Sequence, residues 1–151
     1  EKYLKDNILI YKRISMGSTD NKFYDMFNDT LSNFIKDLIN VFPDDNDFKL
    51  FKTSSNMVKL ASVKKPLELF NLGLTPEFKQ NIRDKNEDFF LNNDYSDVLN
   101  NEELKKVDND INNELISKLK DYWKELSDDN KDTVWKYFTI LLKLCDKVYP
   151  N

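Results

Sequence analysis

Histidine is absent from this chain, and cysteine occurs once, at Cys145. No intramolecular disulfide can form, so nothing points to an oxidising compartment. The usual zinc sites draw several ligands from Cys and His and cannot be assembled here. Ser-His-Asp and Cys-His catalysis are excluded on the same ground. Gly17 and Gly73 are the only glycines, too few for a phosphate-cradling loop. No apolar run approaches the ~20 residues that span a bilayer. The stretch Ile8-Leu9-Ile10-Tyr11 is too short for the core of a signal peptide. These absences set the expectations: no enzyme, no metal, no cofactor, no membrane, and a cytoplasmic place of action.

Other scarcities are compositional. Ala61 is the sole alanine, and Arg13 and Arg83 are the only arginines, while lysine and asparagine are abundant. Abundant Lys, Asn, Ile, Phe and Tyr have AT-rich codons, and the scarce residues have GC-rich ones, so base composition accounts for the bias. The pairs Asn92-Asn93, Asn100-Asn101 and Asn112-Asn113 therefore carry little functional weight.

What is present describes a globular domain. The 151 residues include eleven Phe, seven Tyr and two Trp, too many aromatics for a solvated coil. A chain of this length fits one domain and buries roughly 70% of its unfolded surface. The net charge of −4 disfavours broad nonspecific binding to phosphate backbones, though a local basic patch stays open.

Residues 1–20 read as a separate amino-terminal extension, in which Met16-Gly17-Ser18 resembles a start followed by small residues. From residue 21 to 151 the chain reads as one helical domain. Phe23, Met26, Phe27, Leu31, Phe34, Ile35, Leu38, Ile39 and Phe42 recur at three- and four-residue steps, one face of a helix of about five turns. Thr19 or Asp20 can cap it and Pro43 ends it. Asp44 to Asp47 can cap a second helix, carrying Phe48, Phe51, Met57, Val58 and Ala61 to about Ser62. Pro66 opens a short helix with Leu67, Leu69 and Phe70, which Gly73 breaks. Thr75-Pro76-Glu77 starts another with Phe78 and Ile82.

The stretch 84–95 holds Phe89-Phe90-Leu91 in a further short helix, and 92–101 is the main loop. Leu104, Val107, Ile111, Leu115, Leu119, Tyr122 and Leu126 then define a long helix from about Glu102. Ser127 to Asn130 form a capping turn before a last helix with Val134, Trp135, Phe138, Leu141, Leu142, Cys145 and Val148 on its apolar face. The short connection predicts that the last two helices form an antiparallel hairpin. The fold class expected is an all-α, irregular bundle of about five to seven helices ending in that hairpin.

Candidate chemistry is thin. Asp44-Asp45-Asn46-Asp47 and Asp108-Asn109-Asp110 with Asn112 resemble calcium loops, but neither has glycine at loop position six or Glu at position twelve; caps and solvated turns explain both. Glu87 and Asp88 lack any sign of a pocket for acid–base work. Asn28-Asp29-Thr30 matches a glycosylation sequon inside a predicted helix and is discounted. Cys145 falls on an apolar face, as a small buried hydrophobe does.

Two surface candidates stand out. Phe89, Phe90 and Trp123 are candidate partner-binding aromatics, because exposed rings mark interfaces. Lys118, Lys120, Lys124, Lys131 and Lys136, interleaved with Tyr122, Trp123, Trp135 and Tyr137, form a candidate nucleic-acid-binding set. Asp121, Glu125, Asp128, Asp129 and Asp132 lie among them and weaken the field.

One pattern resembles a known group. Asp37-Leu38-Ile39 to Phe42-Pro43, Asp47-Phe48-Lys49, Phe89-Phe90-Leu91 with Asp94-Tyr95, and Lys118 through Trp123, Leu126-Ser127, Asn130-Lys131 and Trp135 to Phe138 are similar to small helical proteins of nucleocytoplasmic large DNA viruses, the mimivirus-like giant viruses. The likeness covers about Phe23 to Cys145 and rests on helix-packing and capping residues. It implies a viral source and an interaction role, without a mechanism. The expected function is a noncatalytic protein-interaction or scaffold protein in the host cytoplasm or virion. The alternative is a nucleic-acid-associated factor, and homo-oligomerisation through a helix face stays open.

Overall fold

A computed structural model describes residues 19–92 and 111–150 of the chain. The amino-terminal extension, the loop expected after Asn92, the start of the long helix expected from Glu102, and Asp108 to Asp110 of the second calcium-like stretch lie outside the described residues. Among the described residues there are seven α-helices and no strand, so the all-α class holds. They are α1 (Thr19–Val41), α2 (Asn46–Ala61), α3 (Lys65–Gly73), α4 (Pro76–Arg83), α5 (Glu87–Asn92), α6 (Ile111–Tyr122) and α7 (Asp128–Val148), with one 3-10 turn at Trp123–Glu125.

The boundaries follow the local chemistry. Asp45 caps α2 by accepting a hydrogen bond from the Asp47 amide at 2.8 Å. Thr75 Oγ1 accepts from the Phe78 amide at 3.1 Å to cap α4, and Ser127 Oγ accepts from Asn130 at 3.1 Å to cap α7. Each side chain satisfies an amide that the first helical turn leaves without a backbone partner.

α1 is the spine. Phe23, Met26, Phe27, Leu31, Phe34, Ile35 and Leu38 are all buried on its 3.6-residue stripe. α7 lies along it in the opposite sense: Phe34 meets Phe138 edge-on at 5.6 Å, Leu38 and Val41 sit beside Asn130 and Val134, and Thr30 sits beside Ile140. α2 and α3 close the other side of α1. Asn28 Nδ2 donates to the Val63 carbonyl at 2.9 Å and ties α1 to the α2–α3 link. That bond and its burial take the sequon asparagine out of reach of any surface modification.

Among the described residues, the hairpin expected at the carboxy end is not the main pairing. α7 packs chiefly along α1, whereas α6 packs against α2 and α3. The cause is local. At Trp123 the chain tightens into a 3-10 turn, which breaks the helical phase before Ser127 starts α7. The face made by Leu115, Ile116 and Leu119 is thereby left to α2 and α3, where it is buried.

Candidate interaction face

α2 is a helix with one inward and one outward apolar face. Phe48, Phe51 and Ser55 are buried, and Phe48 packs edge-on to Phe51 at 6.0 Å. At about 100° per residue, these three share one side. The opposite side carries Leu50, Met57 and Leu60, which are 61%, 65% and 84% exposed. Met57 and Ala61, grouped above with the core positions of this helix, are both exposed. They lie across the helix from Phe48 and Phe51, the side that α1, α3 and α6 cover.

Leu50, Thr53, Met57 and Leu60 follow the i, i+3, i+7, i+10 spacing of a coiled-coil seam. Val63, just past the helix end, extends the apolar surface and is 46% exposed. Lys49 and Lys52 lie along one flank and are exposed, and Lys59 is half-buried further round. Among the described residues no carboxylate pairs with any of these three lysines. Residues 46–65 hold five lysines and one aspartate, a local net of +4 in a chain of net −4.

The single acid of that stretch is already engaged. Lys118 bridges Asp47 at 2.9 Å and Asp45 at 3.1 Å, and its ammonium lies 5.4 Å from the centre of the Tyr122 ring. The Tyr122 hydroxyl donates to Asp45. Burial pushes the Asp45 carboxyl up, but hydrogen bonds from Tyr122, the Asp47 amide and Lys118 outweigh it and hold the group below its usual range. Hydrogen bonds to Asp47 and Asp45 hold Lys118 above its own. Asp45 and Asp47 thus cap and anchor α2 against α6. Among the described residues, no group of three metal-binding side chains converges.

The aromatic candidates fall elsewhere than expected. Trp123 is 1% exposed, with its ring 5.2 Å from Phe90 and 5.6 Å from Trp135. Phe90 is also buried, 6.1 Å from Phe138. Phe89 is half-buried against Phe78 at 5.7 Å. Phe90 and Trp123 fill the joint between α5, the 3-10 turn and α7, while Phe89 packs on α4 and stays partly exposed. The 3-10 turn explains the Trp123 misreading, because an α-helical phase sets it beside the stripe, whereas the tighter turn swings it into the core.

The lysine candidates are not gathered into one patch. Lys118 is committed to its two aspartates. Lys131 sits over the Trp123 ring at 5.7 Å, Lys120 is half-buried, and Lys124 and Lys136 are exposed. Lys131 and Lys136 point about 140° apart around α7.

One polar cluster had no signal in the sequence. Lys79 is 5% exposed, and its ammonium donates to Asn71 Oδ1 at 2.7 Å. The Cys145 thiol donates to the same oxygen at 3.2 Å. Burial pushes that thiol up to about 11, which removes it as a nucleophile at neutral pH.

Comparison with family models, curated proteins and solved structures gives no match. Among the described residues, no helix is long and apolar enough to cross a membrane. The functional reading therefore rests on the surface of this chain alone, and the outward side of α2 is its most distinctive part.

Proposed function

We propose that this chain is a noncatalytic protein-interaction or scaffold protein that docks a partner on the outer face of α2. The observation that carries this reading is the solvent-facing row of Leu50, Met57 and Leu60. Aliphatic side chains lined up on one exposed helix face mark contact sites, whereas scattered ones do not. The noncatalytic half of the reading draws support from the absence of histidine and from the burial of Cys145. The likeness to giant-virus proteins supports a place in the infected cytoplasm or the virion. The nucleic-acid alternative loses support from the engagement of Lys118 and the scatter of the other candidate lysines.

Affinity capture of the tagged chain, with and without nuclease, tests the proposal when run beside the double variant Met57→Ser/Leu60→Ser. Partners that survive nuclease and are lost with the double variant are the expected result. Partners that vanish with nuclease, or turnover of any substrate by the pure protein, overturn it.

A further inference from the structure

The outer face of α2 also specifies the chemistry of what it binds. This inference rests on the proposal that the face is a docking site and adds the identity of the occupant. We infer that the occupant is an acidic amphipathic helix of a partner protein, its apolar seam laid against Leu50, Met57 and Leu60 and its carboxylates facing Lys49 and Lys52.

Three features select a helix of that charge. The seam residues Leu50, Thr53, Met57 and Leu60 keep the spacing that knobs-into-holes packing between two helices requires. The nearer flank carries lysine without compensation: Lys49 borders the seam and Lys52 lies about 60° further round, both exposed, and no described carboxylate pairs with them. Between Asp47 and Lys65 the chain has no acidic residue at all, so an incoming carboxylate meets attraction along the whole face and no local repulsion. Flanking charges of this kind choose partner and orientation more than they add raw affinity.

The same features argue against other occupants. An antiparallel second copy of α2 sets its lysine flank against the same flank, and a parallel copy sets Lys49 opposite the flank of Ser54 and Ala61, which offers it no carboxylate. A single nucleic-acid strand needs rings to stack on, and the two Phe of α2, Phe48 and Phe51, are both turned into the core. An anionic bilayer meets the charge but not the seam spacing, in which polar Thr53 sits at the centre of the apolar row.

The test uses the intact chain and a designed three-heptad peptide with Leu at the seam positions and Glu on both flanks. A control peptide replaces every Glu by Lys. Fluorescence anisotropy should show the Glu peptide binding at least about tenfold more tightly than the Lys peptide. Binding should weaken with added salt and fall about tenfold in Met57→Ser/Leu60→Ser. In Lys49→Glu/Lys52→Glu the preference between the two peptides should reverse. These four residues are solvent-facing, and unchanged thermal melting of each variant confirms that the fold is kept.

No binding of the Glu peptide, equal binding of both peptides, or indifference to the substitutions overturns the inference. Binding confined to vesicles containing phosphatidylserine, or to a single-stranded oligonucleotide, overturns it and reassigns the face to that ligand. A nuclease-resistant partner that Met57→Ser/Leu60→Ser still captures retires this face while leaving the interaction role intact.

Discussion

The hydroxyl of Tyr137 on α7 donates a hydrogen bond to the carboxylate of Asp37 on α1, 100 residues earlier in the chain. The Tyr137 ring stacks on Phe34 at 4.8 Å. Shallow depressions of about 310 and 330 Å³ flank it on the α1–α7 seam. The pair is a latch halfway along the principal helix contact. Burial and then the Asp37 bond push the phenol above its usual range, as expected when the neutral hydroxyl is the form that fits.

Removing the latch should weaken the fold modestly. Tyr137→Phe keeps the stack and loses the bond, an expected cost of about 1 kcal/mol. A urea titration measures it as a lower midpoint at unchanged slope. No change in midpoint would show that water replaces Asp37 without loss.

The pH profile should have two falling edges of different origin. The Cys145 thiol moves from an ordinary 9.0 up to about 11 through burial, and Lys118, Tyr122 and Tyr137 are also raised. The folded state holds these protons more tightly than the unfolded state. Their contribution is whole below the unfolded values and is lost as pH rises through the folded ones. Asp45 is lowered, so its contribution is present above its ordinary 3.8 and lost as pH falls through the folded value. Melting temperature should therefore fall on the alkaline side from about pH 9, less steeply in Cys145→Ala. An identical alkaline slope in that variant would sink the assignment.

Trp123 should act as a stability residue and not as a binding residue. Trp123→Ala empties the joint between Phe90 and Trp135 and should cost about 3–5 kcal/mol. Trp123→Phe, which refills most of the space, should cost less and leave partner binding untouched. Loss of binding in a fully folded Trp123→Phe protein would restore this residue to the interface.

Asn71 holds two donors at once, and its removal should be worse than removal of what it holds. Asn71→Leu strands the buried Lys79 ammonium and the Cys145 thiol, an expected loss of about 1–3 kcal/mol. Lys79→Met should be close to neutral, because the stem stays packed and no buried charge is left alone. The double variant Asn71→Leu/Lys79→Met should recover most of the loss. Thermal melting of the three proteins, read as a double-mutant cycle, decides it.

Much of the architecture was legible because it is local. The stripe on α1, the Thr75 and Ser127 caps and the Pro66 start each depend on residues within a turn or two, and each lies where the pattern sets it. Pairing of helices is a different matter. Nothing within 111–126 tells its apolar face to choose α2 and α3 over α7; the choice is made by the 3-10 turn at Trp123 and by the greater apolar length of α1.

Phe90 and Trp123 belong to the core for a related reason. Aromatics near a stripe can fill a core or face a partner, and only the packing of α5 against α7 separates the two for Phe90 and Trp123. α2 is the converse. Its apolar residues outnumber what one buried side can take, and Leu50 and Leu60 were the surplus. The acid-free run of lysines from Lys49 to Lys65 was readable in the sequence and was the signal for this face.

The antiparallel union of α1 and α7 also sets a timetable. A ribosome releases α1 long before α7 exists, and the intervening chain, about 100 residues between Asp37 and Tyr137, takes roughly 5–20 s to synthesise at ordinary rates. For that interval Phe34 and its neighbours have no permanent cover, however readily the α1 helix itself forms. Truncation within that final segment therefore costs the first helix its shelter as well as the last.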